Sequence, residues 1–239
     1  MIKLAVSGCQ GRMGQSITRL ALKDREFKLS ALLEHKDHPK VNQTEQGIVI
    51  SADNRMLKGC DVLIEFTTPQ ATILNLQACL DHNVKMVIGT TGLQPEQAAR
   101  IKEAAKRIPI VYASNMSVGV NILFKLTQIA AQKTGDNYTI NISETHHVHK
   151  KDAPSGTAKT LGEIAEAASK TRVQNIESRR EGEVIGDHSV IFESEEDIIT
   201  ISHHAKNRDI FAKGALVAAK FLAGKSKGLY NMQEVLELN

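Results

Sequence analysis

Short apolar runs and helical patterns alternate through the first half of the chain. Ile2–Val6 (IKLAV), Phe27–Leu33, Val62–Phe66 (VLIEF), Val84–Ile88 (VKMVI) and Ile110–Ala113 are strand-length runs with few polar breaks, as expected of strands covered on both faces. Gln15–Lys23, Pro69–His82 and Pro95–Arg107 lie between them and read as helices. Such alternation predicts an α/β fold with a parallel sheet. A helix over Ser117–Lys133 leads away from it. Beyond that point strands predominate: Tyr138–Ser143 (YTINIS), Glu183–Ile185, Ser189–Glu193 and Asp197–Ser202, with one more helix over Lys159–Ser169. This region predicts an α+β domain on a mostly antiparallel or mixed sheet, whose outward face is a candidate oligomer interface. Ile198–Ile201 is almost continuously apolar, so cover on both faces of that strand is expected. Arg208–Gly224 is an amphipathic helix ending at glycine, expected to return to the first domain. Glu34–Lys40 (EHKDHPK) and Glu177–Gly182 (ESRREG) read as polar loops with solvated charges.

Composition narrows the class. The chain has 239 residues, 41% hydrophobic and 24% charged, the balance of a globular protein with ample core. A formal charge of +3, with no basic run or aromatic stacking motif, gives no basis for nucleic-acid binding. Cys9, Cys60 and Cys79 are unpatterned and sit in apolar contexts, which predicts reduced, buried thiols. No stretch approaches the roughly 20 apolar residues of a membrane span, and the first apolar run is too short for a signal peptide. A cytoplasmic protein is expected.

The first run ends in Ser7-Gly8, followed by Cys9, Gln10, Gly11, Arg12, Met13 and Gly14, then a helix, then a second strand closing on Glu34. Strand, glycine loop, helix, strand and acidic residue form the dinucleotide-binding arrangement. The glycines admit a pyrophosphate to the helix N-terminus, and a carboxylate about twenty residues on accepts from the adenosine ribose. The spacing G-x-x-G-x-x-G differs from the commoner G-x-G-x-x-G, so the flanking strands, the helix and Glu34 carry the reading. Phe66-Thr67-Thr68, Gly89-Thr90-Thr91 and Ala113-Ser114-Asn115-Met116 stand at later strand ends, where parallel sheets bind ligands. Ordinary turn chemistry selects similar residues there.

The richest chemistry lies in Glu144–Ala158 (ETHHVHKKDAPSGTA), a strand-to-helix connection. Pro154 suits a first helical position. Ser155, Gly156 and Thr157 offer N–H and hydroxyl donors at a helix start, where the backbone attracts anions. Lys150 and Lys151 add positive charge. His146, His147 and His149 bring imidazole, a side chain suited to proton transfer, beside that anion site. Any one of these residues is explained as a cap or a solvated surface group; the whole cluster points to a carboxylate- or phosphate-binding pocket with acid–base groups. His146 and His149 fall on opposite faces of an extended segment and no cysteine or carboxylate is spaced to complete a metal site, so no metal is expected.

GCQGRMG, Glu34 closing the second strand, IGTTG, ASNMSVGVN and HHVHKKDAPSGTA resemble the dihydrodipicolinate reductase family, in order and over nearly the whole chain. The resemblance implies reduction of a cyclic imine dicarboxylate by NADH or NADPH, with loss of water, in diaminopimelate and lysine synthesis. It implies a Rossmann domain from residues 1–116 and 207–239, and an inserted substrate-binding and tetramerisation domain over 117–206, giving a homotetramer. His146 and Lys150 match the family's acid/base and proton-donating positions, while His147, Ser155, Gly156 and Thr157 fall at substrate-binding positions. Gly8–Met13, Glu34, Gly89–Thr91 and Ala113–Met116 match cofactor-binding segments. Where many members place arginine after the acidic residue, His35 stands here, followed by Lys36. Imidazole lacks the guanidinium fork, so use of both cofactors is expected. Loops around Asp37–Thr44 are expected to be short. Two alternatives share the glycine loop: an NAD(P) oxidoreductase acting on a sugar or amino acid, and a non-catalytic nucleotide sensor. The first has no reason for KDAPSGT after paired histidines; the second could lose His146 and Lys150 without losing binding, and both are present.

Overall fold

Leu4 and Val6 of the first strand pack into one apolar cluster and Ala5 between them into another. Val62 and Ile64 against Leu63, and Val87 against Met86 and Ile88, divide in the same way. Strands so uniformly apolar are stable only where helices cover both faces, and that is the architecture of the computed structural model, which describes Met1–Leu238. In chain order the elements are β1 (Ile2–Ser7), α1 (Arg12–Ala21), β2 (Phe27–Leu33), β3 (Thr44–Glu45), β4 (Ile48–Ser51), β5 (Val62–Glu65), α2 (Pro69–His82), β6 (Lys85–Ile88), α3 (Pro95–Ala104) and β7 (Pro109–Tyr112). There follow α4 (Val118–Thr134), β8 (Thr139–His146), α5 (Gly156–Ser169), β9 (Val173–Arg180), β10 (Asp187–Glu193), β11 (Ile198–His204), α6 (Asp209–Ala223), β12 (Gly228–Tyr230) and α7 (Met232–Val235). Met1–Ser117 and Phe211–Glu237 form one compact unit, Val118–Ile210 the other.

The first unit is built on a sheet of order β12-β7-β6-β5-β1-β2-β4-β3, parallel except for the β3–β4 hairpin. Residues of α1 and α6 share one cluster, residues of α2 and α3 the other. Strand order reverses at β1, between β2 and β5, which makes the ends of these three strands the natural ligand crevice. No helix joins β2 to β4; a turn-rich loop and the short hairpin replace it. The returning helix α6 packs closely, since a Cβ on Gly214 would stand 1.7 Å from the Met116 carbonyl oxygen. All three cysteines are free and buried.

The second unit has a mixed sheet of order β11-β10-β8-β9, in which only β8–β9 is parallel. Ile140 and Ile142 of β8 and Val190 and Phe192 of β10 form its core with Leu161 of α5 and Leu123 and Phe124 of α4. Three expectations change here. Glu183–Ile185 is a turn region rather than a strand. ESRREG is not a loop: its first four residues complete β9, an edge strand whose outer side tolerates charge. Ile198 and Ile199 are exposed within the chain, because β11 is the opposite edge and only Ile201 turns towards the core. Among the described residues no helix is long and apolar enough to cross a membrane.

Candidate active site

The cleft at the switch point of the first unit has a volume of about 590 Å³ and is lined by Ser7, Gly8, Leu33, Glu34, Phe66 and Thr67 among others. Gly8 has φ +70°, and a Cβ there would meet the Phe66 carbonyl oxygen at 2.8 Å. A Cβ on Gly14 would stand 2.1 Å from the Gly8 carbonyl oxygen, so only glycine lets α1 start this close to β1. Gly11 caps α1 and its first turn holds no acidic side chain, which leaves its positive end for an anion. Glu34 accepts from the Gln10 N–H and the His35 N–H, both at 2.9 Å. These features fit a dinucleotide: a backbone cradle for pyrophosphate and a carboxylate for the ribose.

Gly8, Gly11, Glu34 and His35 line the cleft, with Lys36 beside them. Arg12 is exposed at the start of α1, Met13 is half-buried, and Gln10 reaches Glu45 of the hairpin at 2.8 Å. Cys9 and Met116 turn their side chains into the core; burial, then the Glu34 charge, pushes the Cys9 thiol up to about 11. Gly89 lies against the Phe66 ring, Thr90 is buried, and Thr91 and Ser114 are exposed, with Ala113 and Asn115 half-buried. Phe66, Thr67 and Thr68 line the cleft more directly than these; their place at a strand end was the signal. Ala52, Asn54, Ala71, Leu74 and Asn75 carry no sequence signal for it.

In the second unit the period-two alternation of β8 continues past its apolar residues. Ile140, Ile142, Glu144 and His146 share the buried face, so the core strand ends in a polar site. Parallel pairing sets His146 opposite Arg180 of β9, and antiparallel pairing sets Glu144 opposite His188 of β10. Glu144 hydrogen-bonds His146 Nδ1 and accepts Arg180 through both terminal nitrogens, at 3.1 and 3.2 Å. The Ser155 N–H also reaches it, at 3.2 Å. Burial alone would raise this carboxyl, but hydrogen bonds from Arg180 and His146 outweigh burial and hold it below the usual range. An ionised Glu144 fixes the proton of neutral His146 on Nδ1 and leaves Nε2 as the reactive nitrogen. Burial lowers His146, Glu144 opposes it, and the charges of Lys150 and Arg180 act with burial, so the ring is neutral at rest. His188 stacks edge-on against His146 at 5.1 Å between centroids, and burial first, then His146, pulls it down to about 4.

Helix α5 begins two residues later than Pro154 would suggest: Ser155 is its cap and Gly156 its first residue. The Ser155 hydroxyl accepts from the Ala158 N–H and meets His188 Nε2, each at 3.2 Å, and the residue is 2% exposed. Gly156 is exposed and Thr157 half-buried. Lys150 pairs with Asp152 at 2.8 Å, His147 is half-buried, and His149 and Lys151 are exposed. Arg180 was hidden in a charged stretch, whereas Glu144, two residues before His146 on an alternating strand, was legible. Folding does bring a carboxylate and a second imidazole to His146: ligand atoms of Glu144, His146 and His188 lie within 4.8 Å of one another. The guanidinium on Glu144 already supplies the positive charge at that point.

The model of "Dihydrodipicolinate reductase, N-terminus" matches residues 2–116, and that of "Dihydrodipicolinate reductase, C-terminus" matches 119–236. A 4-hydroxy-tetrahydrodipicolinate reductase of Syntrophotalea carbinolica is 42% identical, with both chains covered in full. One from Nitrosomonas eutropha is 40% identical over all of this chain and 99% of its own. Among solved structures, a dipicolinate-bound dihydrodipicolinate reductase from Paenisporosarcina sp. TG-14 superposes with a TM-score of 0.85 at 25% identity, covering 98% of each chain. A diaminopimelate dehydrogenase of C. glutamicum, at 12% identity and a TM-score of 0.59, over 98% of this chain and 93% of its own, shares the fold alone. With both halves matched in order and full-length relatives at this identity, the chain belongs to the dihydrodipicolinate reductase family.

Proposed function

We propose that the chain reduces 4-hydroxy-tetrahydrodipicolinate to tetrahydrodipicolinate, with release of water, in diaminopimelate and lysine biosynthesis. The observation that carries the reading is His146, held neutral by burial and aimed by Glu144 at the end of a core strand, in the loop that carries Lys150 and the α5 N-terminus. When bound, NADH or NADPH supplies a hydride. Gly8–Met13 would hold its pyrophosphate and Glu34 its ribose, with His35 alongside; Gly89–Thr91 and Ala113–Met116 complete that set. The first unit serves the cofactor, the second the substrate and subunit assembly.

The chain's own residues manage charge and protons. A cyclic dicarboxylate suits the helix N-terminus at Gly156 and Thr157 and the Lys150 ammonium, which would exchange Asp152 for the substrate. His147 and Ser155 complete the pocket, Ser155 by fixing the start of α5. A dianion beside His146 raises its proton affinity, so the acid is charged when substrate is present. Nε2 and Lys150 then supply the proton that hydride addition requires. His35 in place of arginine supports use of both cofactors. We further assign a cytoplasmic location, and a homotetramer formed through the exposed β11 edge, where Ile198 is 61% exposed.

The test generates substrate in place from pyruvate and aspartate semialdehyde with the preceding synthase and follows oxidation of NADH and of NADPH. Synthase-dependent oxidation is expected with both, and a hundredfold higher kcat/KM for NADPH would sink dual use. His146→Ala should lower turnover about 10²–10⁴-fold with NADH affinity unchanged. An equal loss of cofactor binding would remove the role given to His146.

A further inference from the structure

Glu65, the last residue of β5, is 0% exposed and takes part in no step above. Its Oε2 accepts from the Thr67 hydroxyl at 2.5 Å and its Oε1 from the Thr72 hydroxyl of α2 at 2.9 Å. Thr90, beyond β6, and Asn75 and the Cys79 thiol of α2 lie nearby. Among the described residues no lysine, arginine or histidine pairs with it. Burial therefore outweighs the hydrogen bonds and raises its proton affinity. A neutral carboxyl suits a shell of hydroxyls, because each hydroxyl donates or accepts as needed.

What this carboxyl holds is the wall of the cofactor cleft. Thr67 donates its N–H to Thr90 Oγ1 at 2.8 Å, and its methyl lies 3.0 Å from where a Cβ on Gly8 would stand. Asn75 donates to Ser7 Oγ at 3.0 Å. Ser7, Phe66, Thr67, Thr68 and Asn75 all line the cleft. We propose that Glu65 is a positioning residue for the cofactor, tying the Phe66–Thr68 turn to α2 so that the cleft keeps its shape beside Gly8. The acid–base reading of His146 plays no part in this.

NADH titration by fluorescence, with steady-state kinetics, tests the proposal on the full chain. Glu65→Ala should raise the NADH Kd and KM about tenfold while kcat at saturating NADH and the substrate KM stay near wild type. Glu65→Gln, which keeps one donor and one acceptor, should stay within about twofold. Thr67→Val keeps the methyl against Gly8, loses the hydroxyl, and should raise the Kd about fivefold. It keeps the test open where the alanine variant does not fold. Wild-type NADH affinity in a folded Glu65→Ala or Thr67→Val protein would overturn the proposal, leaving a purely structural contact. Glu65→Gln binding as weakly as Glu65→Ala would overturn it too, since charge rather than the hydrogen-bond pattern would then matter.

Discussion

Each unit buries one carboxylate at the end of a core strand, and the two are equally hidden: Glu65 is 0% exposed and Glu144 is 1%. Glu65 meets hydroxyls, and its proton affinity rises; Glu144 meets a guanidinium, and its affinity falls despite burial. Burial sets the cost of a charge, but the kind of donor decides whether the charge stays. A shell that leaves the carboxyl neutral serves shape, in a cleft built on backbone and hydroxyls. A shell that keeps it ionised holds an anion against His146 Nδ1, which orients that proton.

The sharpest way to break this contrast is to remove the cation. Arg180→Met leaves Glu144 buried with only neutral partners and should lower unfolding stability by about 3 kcal/mol in urea melts. Adding Glu144→Gln should recover part of that loss, as a double-mutant cycle would read. Glu65→Gln alone should leave stability at neutral pH unchanged or higher, because no cation is stranded and the amide has no proton to lose.

Acid provides the next effect. His188 is neutral in the fold down to about pH 4, below the ordinary histidine value of 6.5. The unfolded chain therefore binds the extra proton first, and stability falls as pH drops from 6.5 towards 4, by about 3 kcal/mol at most. Unfolding curves of wild type and His188→Gln should diverge through that window, with the variant losing less. Glu144 adds to the acid loss at lower pH, since its depressed value contributes stability above its unfolded pKa that vanishes as it protonates. Glu65 works in the opposite sense: its raised value costs stability as pH climbs above its unfolded pKa. The smallest effect concerns the cleft rim. His35→Arg should shift the NADPH/NADH ratio of kcat/KM upwards by about tenfold.

Much of this was legible in the chain. Strand–helix alternation, the glycine loop with Glu34 and the histidine–lysine stretch point to the two candidate sites, because each is set by neighbours in sequence. Cross-strand partners were not. Arg180 lies 36 positions from Glu144 and meets it only through the β8–β9 pairing. Its own segment looked like a loop, because an edge strand keeps charge on its outer side. His188 reaches the site through the β8–β10 register, which no local pattern encodes. The β3–β4 hairpin and β12 are too short for periodicity to reveal, although Gln46 and Gly47, with φ of 54° and 76°, make the turn that joins the hairpin.

The closing helix of the first unit sets the order in which the molecule is completed. Ala212, Ala215, Leu216, Ala219, Leu222 and Met232 share a core with Leu4 and Val6, and Gly228–Tyr230 pairs with Pro109–Tyr112. On the ribosome the first 117 residues emerge with one face of their sheet covered only by α1, while the inserted unit, contiguous in sequence, has all its strands at hand. Nucleotide binding is therefore the last competence a nascent chain acquires, and a chain that stops before α6 never acquires it.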